Sequence, residues 1–350
     1  MLRICNLVNA WRPLRLCESH RLSDSLNPNS TENFKNVWLV LVPVGGELLW
    51  ILEIQAKFWD EASVDTEFVS VVIPTFDRCS MVGDAVESVL RQSHGRYELI
   101  VVDDGSQDGT VERLECYGSR ITVLSQPHRG VAATRNSGVR WSGGRYLAFL
   151  DSDDLWYPSK LEIQVAFMER NPGVQICQTE EIWVRNGVRV NPKKRHHKPS
   201  GDIFRASLDL CLVSPSAVMM TRELFIRLGG FDETFDVCED YDLWLRIAVD
   251  TAIPLIPEPL VVKRGGHGDQ LSHSTWGLDR FRILALEKLL RSGLRGEKRR
   301  WALEALAGKV AILAQGARKR GRESEALAYE QVFARFGEES LSAERDGVSC

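Results

Sequence analysis

The stretch "RYLAFLDSDD", residues 145–154, runs an apolar strand into three carboxylates, Asp151, Asp153 and Asp154. Carboxylates packed this closely repel one another, so positive charge has to be supplied or recruited at that point. In an extended segment residues i and i+2 face the same way, which lets Asp151 and Asp153 present oxygens to one place. A hard divalent cation suits such a pair. Mg²⁺ or Mn²⁺ held by one or two carboxylates keeps positions open for water and for substrate phosphates, so the expected compensation is a metal diphosphate.

The same pattern, a buried strand ending in polar residues, occurs twice upstream. "VSVVIP" (69–74) is a continuous β-branched run followed by Thr75 and Asp77, and "YELIVV" (97–102) is followed by Asp103 and Asp104. Between and after them lie helical periods at 80–93, near 109–117 and at 130–142, and a strand at 121–126. This βαβαβαβ alternation predicts an α/β fold, a mainly parallel sheet with helices on both faces. Such sheets bind ligands at the carboxyl ends of their strands. Three acidic strand ends at one sheet edge are more than turn formation requires.

Composition fits a soluble protein with one large core or two smaller ones: 350 residues, 44% hydrophobic and 26% charged. With a net charge of -4, nothing global suggests nucleic acid or an anionic membrane as the main partner. Eight cysteines without a C-x-x-C spacing read as reduced thiols of a cytoplasmic protein. Residues 1–67 differ from the rest. The apolar run 37–59 is interrupted by Pro43, Gly45, Gly46, Glu47 and Glu53, and each mid-span glutamate costs roughly 2.5–3.5 kcal/mol in a bilayer. An N-terminal extension is therefore expected rather than a spanning helix or a signal peptide. After residue 275, three amphipathic helical periods separated by glycines predict a C-terminal helical subdomain, 276–350, packed on itself or on the catalytic domain.

"DGSQDGTVERLE" (104–115) matches much of an EF-hand loop, with Asp104, Asp108, Gly109 and Glu115 at calcium-loop positions. A strand former precedes it where an EF-hand needs a helix, so calcium binding is not expected.

Five segments in order, "VSVVIPTFDR", "ELIVVDDGSQDGT", "GVAATRNSG", "YLAFLDSDD" and "CEDYDLWLR", resemble glycosyltransferase family 2, the inverting nucleotide-sugar transferases of GT-A fold. The resemblance covers 68–275 and implies a three-layer sandwich around a nucleotide-binding sheet. It implies that Pro74 and Thr75 line the nucleotide pocket, that Asp103 and Asp104 reach the base and ribose with Asp104 at the uracil edge, and that Arg135 lies near the diphosphate. It also implies that Asp151 and Asp153 hold Mn²⁺ or Mg²⁺ and that Asp240 is the catalytic base.

The chemistry is coherent without the name. Inverting transfer needs one base for the acceptor hydroxyl and a cation for the departing nucleoside diphosphate. Asp240 opens the helical run "DYDLWLRIAV", where the helix dipole favours its charged form, although Glu239, Asp240 and Asp242 also fit a capping role. His267, in the glycine-rich loop 264–270, is a candidate for a phosphate or metal contact. Glu239 and Trp244 are candidates for the acceptor side. "GGFDE" (229–233) reads as an acceptor-side loop or a simple glycine turn, and "PKKRHHKP" (192–199) as a solvated charge run or a guide for an anionic acceptor.

The expected partners are a nucleotide-sugar donor, a UDP-sugar before a GDP-sugar, and a glycan or lipid-linked acceptor, with peripheral membrane association in view. A nucleotidyltransferase would share the sheet and acidic site, but "PTFDRCSMVGD" (74–84) lacks the glycine-rich basic loop a triphosphate needs. A non-catalytic binder would not need Asp240.

Overall fold

The computed structural model describes residues 38–44, 47–53, 67–191, 193–266 and 277–346. The chain divides into two compact units, Met1–Trp59 and Asp60–Cys350. In the first, β1 (Trp38–Val44) and β2 (Glu47–Glu53) pair as an antiparallel hairpin. Among the described residues no helix is long and apolar enough to cross a membrane. A chain beginning near residue 66 is expected to be soluble, folded and active, as checked by circular dichroism and donor turnover. Aggregation of that shorter chain alone would place residues 37–59 in the core.

The second unit opens with β3 (Val69–Thr75), α1 (Val82–Leu90), β4 (Tyr97–Asp103), α2 (Thr110–Glu115), β5 (Thr122–Ser125), α3 (Val131–Arg140) and β6 (Tyr146–Phe149). It continues with β7 (Leu155–Trp156), α4 (Lys160–Arg170), β8 (Ile176–Arg185), β9 (Val188–Val190), α5 (Phe204–Ser207), β10 (Val218–Thr221), α6 (Arg222–Arg227), α7 (Glu239–Ala248) and β11 (Leu255–Gly265). Three helices follow, Asp279–Arg291, Gly296–Lys319 and Glu323–Asp346.

The sheet order is β5-β4-β3-β6-β10-β8-β11-β7, with β9 paired to β8. From β5 to β6 every pairing is parallel. Beyond β6 the sheet is mixed, because β10 runs antiparallel to both β6 and β8, and β7 antiparallel to β11. Two reversals cancel, so β8 points the same way as β6 and the carboxyl ends of both lie at one edge.

Period-two alternation divides the sheet's side chains between two cores. Val69, Val71 and Ile73 join Leu99 and Val101 under α1 and α4, whereas Val72, Ile100, Val102, Leu147 and Phe149 face α3, α6, α7 and the C-terminal helices. Helices thus cover both faces, a GT-A-like three-layer sandwich, and this is why the central strands read as largely apolar runs. The C-terminal helices contribute Ile283, Leu286, Leu306 and Phe336 to the second of these cores. Gly138 lets α3 lie close against the sheet. A Cβ there would meet Val72 Cγ1 at 2.4 Å, so a glycine is kept inside a helix despite its cost of about 1 kcal/mol. That close seating carries Arg135, on the same helix, towards the strand ends.

Candidate active site

At the carboxyl ends of β3 and β4, Thr75 pairs in register with Asp103. Both residues are buried, and Thr75 Oγ1 and Asp103 Oδ1 lack hydrogen-bond partners among the described residues. The other Asp103 oxygen accepts from the backbone N–H groups of Gly105 and Ser106, each at 3.2 Å. Pro74 precedes Thr75 within the buried strand.

Asp104 is engaged differently. Its carboxylate accepts from Gln126 Nε2 at 2.7 Å, the Arg129 N–H at 3.0 Å and the Gly130 N–H at 2.8 Å, and His128 Nδ1 lies 2.9 Å away. It therefore ties down the turn leading into α3. Asp108 of the calcium-like segment, although exposed, is also engaged within the protein. Asp108 accepts from the backbone of Cys79 and Thr110, and the Gln107 N–H bonds Asp77, so this segment locks the loop after β3.

Arg135 occupies the centre of the site. Its side chain is buried, donating from Nη2 to Asp151 at 2.7 Å and from Nη1 to Glu239 at 2.6 Å, with the guanidinium 5.1 Å from the Phe231 ring. One cation therefore joins the end of β6 to the start of α7. Burial works against the ionised form of Asp151, but Arg135 and then Lys263 outweigh it and hold that carboxyl below the usual range. Burial and the charge of Asp240 push Glu239 up to about 7, against the pull of Arg135. The positive charge demanded by the clustered carboxylates thus comes in part from the protein itself.

Asp153 and Asp154 have separate roles. Asp154 is buried, accepting from Ser216 Oγ at 2.7 Å and the Arg264 N–H at 2.9 Å, while the Arg264 side chain bonds the Asp153 carbonyl. The Asp153 side chain is half-buried. Among the described residues there is no group of three or more His, Cys, Asp or Glu side chains able to hold a metal ion. Asp153 and Asp151, whose Oδ1 alone is hydrogen-bonded among those residues, make a donor set of two carboxylates. That number fits Mn²⁺ or Mg²⁺ when diphosphate and water complete the shell.

The first turn of α7 carries Glu239, Asp240 and Asp242, which suits the positive end of the helix dipole. The N-cap is Cys238 in the left-handed region, φ 66°, with no side-chain cap bond. Glu239 pairs with Arg135, and Asp242 with Arg246 and Lys288 at 2.8 and 2.9 Å. Asp240 has no ion-pair partner among the described residues. Its half-buried carboxylate accepts from the Tyr241 N–H at 2.7 Å and from Cys211 Sγ at 3.5 Å. Burial and the Asp240 charge push the Cys211 thiol well up, so it stays a donor.

Other candidates fall elsewhere. Trp244 lies in the core, 1% exposed and edge-on to Phe231, which corrects its placement on the acceptor side: a ring closed off from solvent cannot stack on a sugar. His267 lies outside the described residues. Gly229 and Gly230 both take positive φ, and the Asn136 side chain exchanges two bonds with the Phe231 backbone, pinning "GGFDE" to α3. Sequence reasoning missed Glu181, Lys198 and Lys263. Lys198 pairs with Glu181 at 3.0 Å, both side chains buried, and Lys263 donates to Ser214. For Glu181 and Lys263 the signal was a charged residue inside a strand, whereas Lys198 lies outside any strand, in the basic run 192–199.

Comparison with known proteins adds the following. The model of the family described as "Glycosyl transferase family 2" matches residues 70–229. An uncharacterized glycosyltransferase of Rickettsia felis is 34% identical over 200 residues, 55% of this chain and 32% of that protein; the match thus spans about a third of that relative's length. The Escherichia coli protein WfgD, named UDP-Glc:alpha-D-GlcNAc-diphosphoundecaprenol beta-1,3-glucosyltransferase, is 33% identical over 195 residues, 55% of this chain and 74% of that protein. Among solved structures, TarS 1-349 of S. aureus in complex with UDP-GlcNAc gives a TM-score of 0.54 at 15% identity, covering 77% of this chain and 92% of that one. The mannosyltransferase PcManGT from Pyrobaculum calidifontis, in complex with GDP-Man and Mn²⁺, gives 0.50 at 20% identity, covering 76% and 85%. These structural likenesses are of fold.

Proposed function

Since the chain belongs to glycosyl transferase family 2, we propose that it moves a sugar from a UDP-linked donor to a hydroxyl of a saccharide on a lipid-linked or cell-surface glycan, with inversion at the anomeric carbon. The observation that carries this reading is the isolation of Asp240. It is the one carboxylate of the α7 first turn without a cation partner among the described residues, so it can take a proton. In a single displacement the acceptor oxygen bonds the anomeric carbon while its proton passes to Asp240. The bond from that carbon to the diphosphate oxygen breaks, and its electron pair leaves with the nucleoside diphosphate.

Asp153, with Asp151, would hold Mn²⁺ or Mg²⁺, which when bound offsets the charge of the diphosphate. Arg135 acts as a positioning residue that keeps the metal-side acid and the base-bearing helix in register. At the nucleotide end, Asp103 Oδ1 and Thr75 Oγ1, unpartnered among the described residues, fit a base that has an N–H to donate, as uracil does. The sequence reading gave the uracil edge to Asp104. Because Asp104 is already engaged by the 126–130 turn, we assign that edge to Asp103.

The lipid-linked acceptor class rests on the likeness to WfgD, whose name specifies a diphosphoundecaprenol acceptor. A hydrolysis screen over nucleotide sugars with Mn²⁺ or Mg²⁺ tests the function without knowledge of the acceptor. Slow release of UDP from one UDP-sugar is expected, whereas turnover of no nucleotide sugar, or tighter calorimetric binding of GDP than UDP under matched metal, would contradict it. The Asp153→Ala variant is expected to fold normally and to lose metal-dependent UDP binding. Unchanged binding in that variant, insensitive to chelator, would remove Asp153 from the site.

A further inference from the structure

Residues 182–201 hold six Lys or Arg and no Asp or Glu, in a chain of net charge -4. In the fold the described residues of this stretch form a platform. β8 and β9 pair with Val184 opposite Arg189 and Arg185 opposite Val188, closed by Asn186 and Gly187, both at positive φ. That is the backbone a tight two-residue hairpin requires. The segment after it is fastened back to β8 by the buried Lys198–Glu181 pair at 3.0 Å and by the His196 ring 5.3 Å from that of Trp183.

The cations the platform presents face outward. Arg185, Arg189, Lys193 and Lys194 are exposed and have no carboxylate partner among the described residues. Between the two arginines the hairpin leaves Val188 65% exposed. A solvated loop does not require an exposed apolar side chain beside its turn and between cations, but a headgroup interface accommodates both.

Its position links this surface to the reaction. β8 runs parallel to β11, with Val184 opposite Arg264, and the Arg264 N–H bonds Asp154 at 2.9 Å. The hairpin therefore extends from the same sheet edge that carries Asp151 and Asp153.

We propose that the β8–β9 hairpin and the basic segment after it dock the enzyme on an anionic bilayer, presenting the site to an acceptor held there. The inference rests on the lipid-linked acceptor reading for its purpose, but its test needs neither donor nor acceptor. Cations spread over a hairpin and its flanking segment match a field of headgroups, each contributing to surface binding.

The test is co-sedimentation of the full chain with phosphatidylcholine vesicles, with and without about one third phosphatidylglycerol. Binding is expected only to the anionic vesicles, and it should be largely lost on raising salt from about 0.1 M to about 0.5 M. R185Q/R189Q/K193Q/K194Q should weaken vesicle partitioning by about 100-fold or more, whereas R185K/R189K should bind as the parent does. UDP-sugar hydrolysis should be unchanged in both variants, and circular dichroism checks their folding. Equal binding to neutral and anionic vesicles, or unchanged partitioning of the folded quadruple variant, would overturn the proposal. So would binding that requires a diphosphate-lipid in the bilayer, which would assign the cations to the acceptor itself. Loss of hydrolysis across all nucleotide sugars with vesicle binding intact would instead count against the catalytic reading.

Discussion

Replacing Asp240 with asparagine is expected to lower turnover by roughly 10²- to 10⁴-fold while donor binding survives. The substitution is nearly isosteric, and the asparagine carbonyl can still accept from the Tyr241 N–H that bonds Oδ1, so that among the described residues only the long 3.5 Å bond from Cys211 Sγ to Oδ2 is lost where the amide NH2 replaces that oxygen. What it cannot do is take a proton at neutral pH. Neighbouring acids are poor substitutes, because Glu239 is tied to Arg135 and Asp242 to Arg246 and Lys288. The comparison calls for single-turnover kinetics beside UDP calorimetry. Near-native single-turnover rates in the folded variant would move the base elsewhere, and equal loss of binding and turnover would make Asp240 a binding residue.

Replacing Arg135 with methionine should cost about 3–5 kcal/mol of stability. That is a large part of the roughly 5–15 kcal/mol available to a domain. The side chain is buried between Asp151 and Glu239, so removing it strands two carboxylates in a low-dielectric site. The folded pKa of Asp151 should then rise above its unfolded value of about 3.9, and that of Glu239, already raised to about 7, should rise further. A raised acid pKa contributes stability below the unfolded value and loses it as pH rises through the folded one, so the deficit should be smaller at pH 5 than at pH 8. Arg135→Lys keeps the charge but not the fork that reaches both acids, and should fall between the two. Denaturant melts at both pH values check this. A pH-independent deficit below about 1 kcal/mol would mean that solvent, not Arg135, compensates those acids.

The parallel half of the sheet was legible because its strands are covered on both faces. Residues 71–74, 99–102 and 146–149 are apolar without interruption and lead into acids or polar turns. The mixed half was not. β10 is only four residues long, and its antiparallel insertion between β6 and β8 depends on pairings with distant residues. Residue types at the site were legible as well, but their division of labour was not. Asp103 and Asp104 are adjacent, and which one is spent on the 126–130 turn depends on Gln126 and Gly130 folding back over it. Arg135 reaches Glu239 across 104 positions of sequence, a partnership that no local pattern encodes. Trp244 followed the default for a large ring on an amphipathic helix, and Cys211, beside Asp240, carried no local signal of its own.

The central claim, a single displacement assisted by one base, is tested most directly by the anomeric configuration of the product. With an α-linked UDP-sugar as donor, the proton NMR spectrum of the purified transfer product should show a β-linkage. An α-linked product would require either two displacements or attack from the face the diphosphate leaves, and would contradict the account.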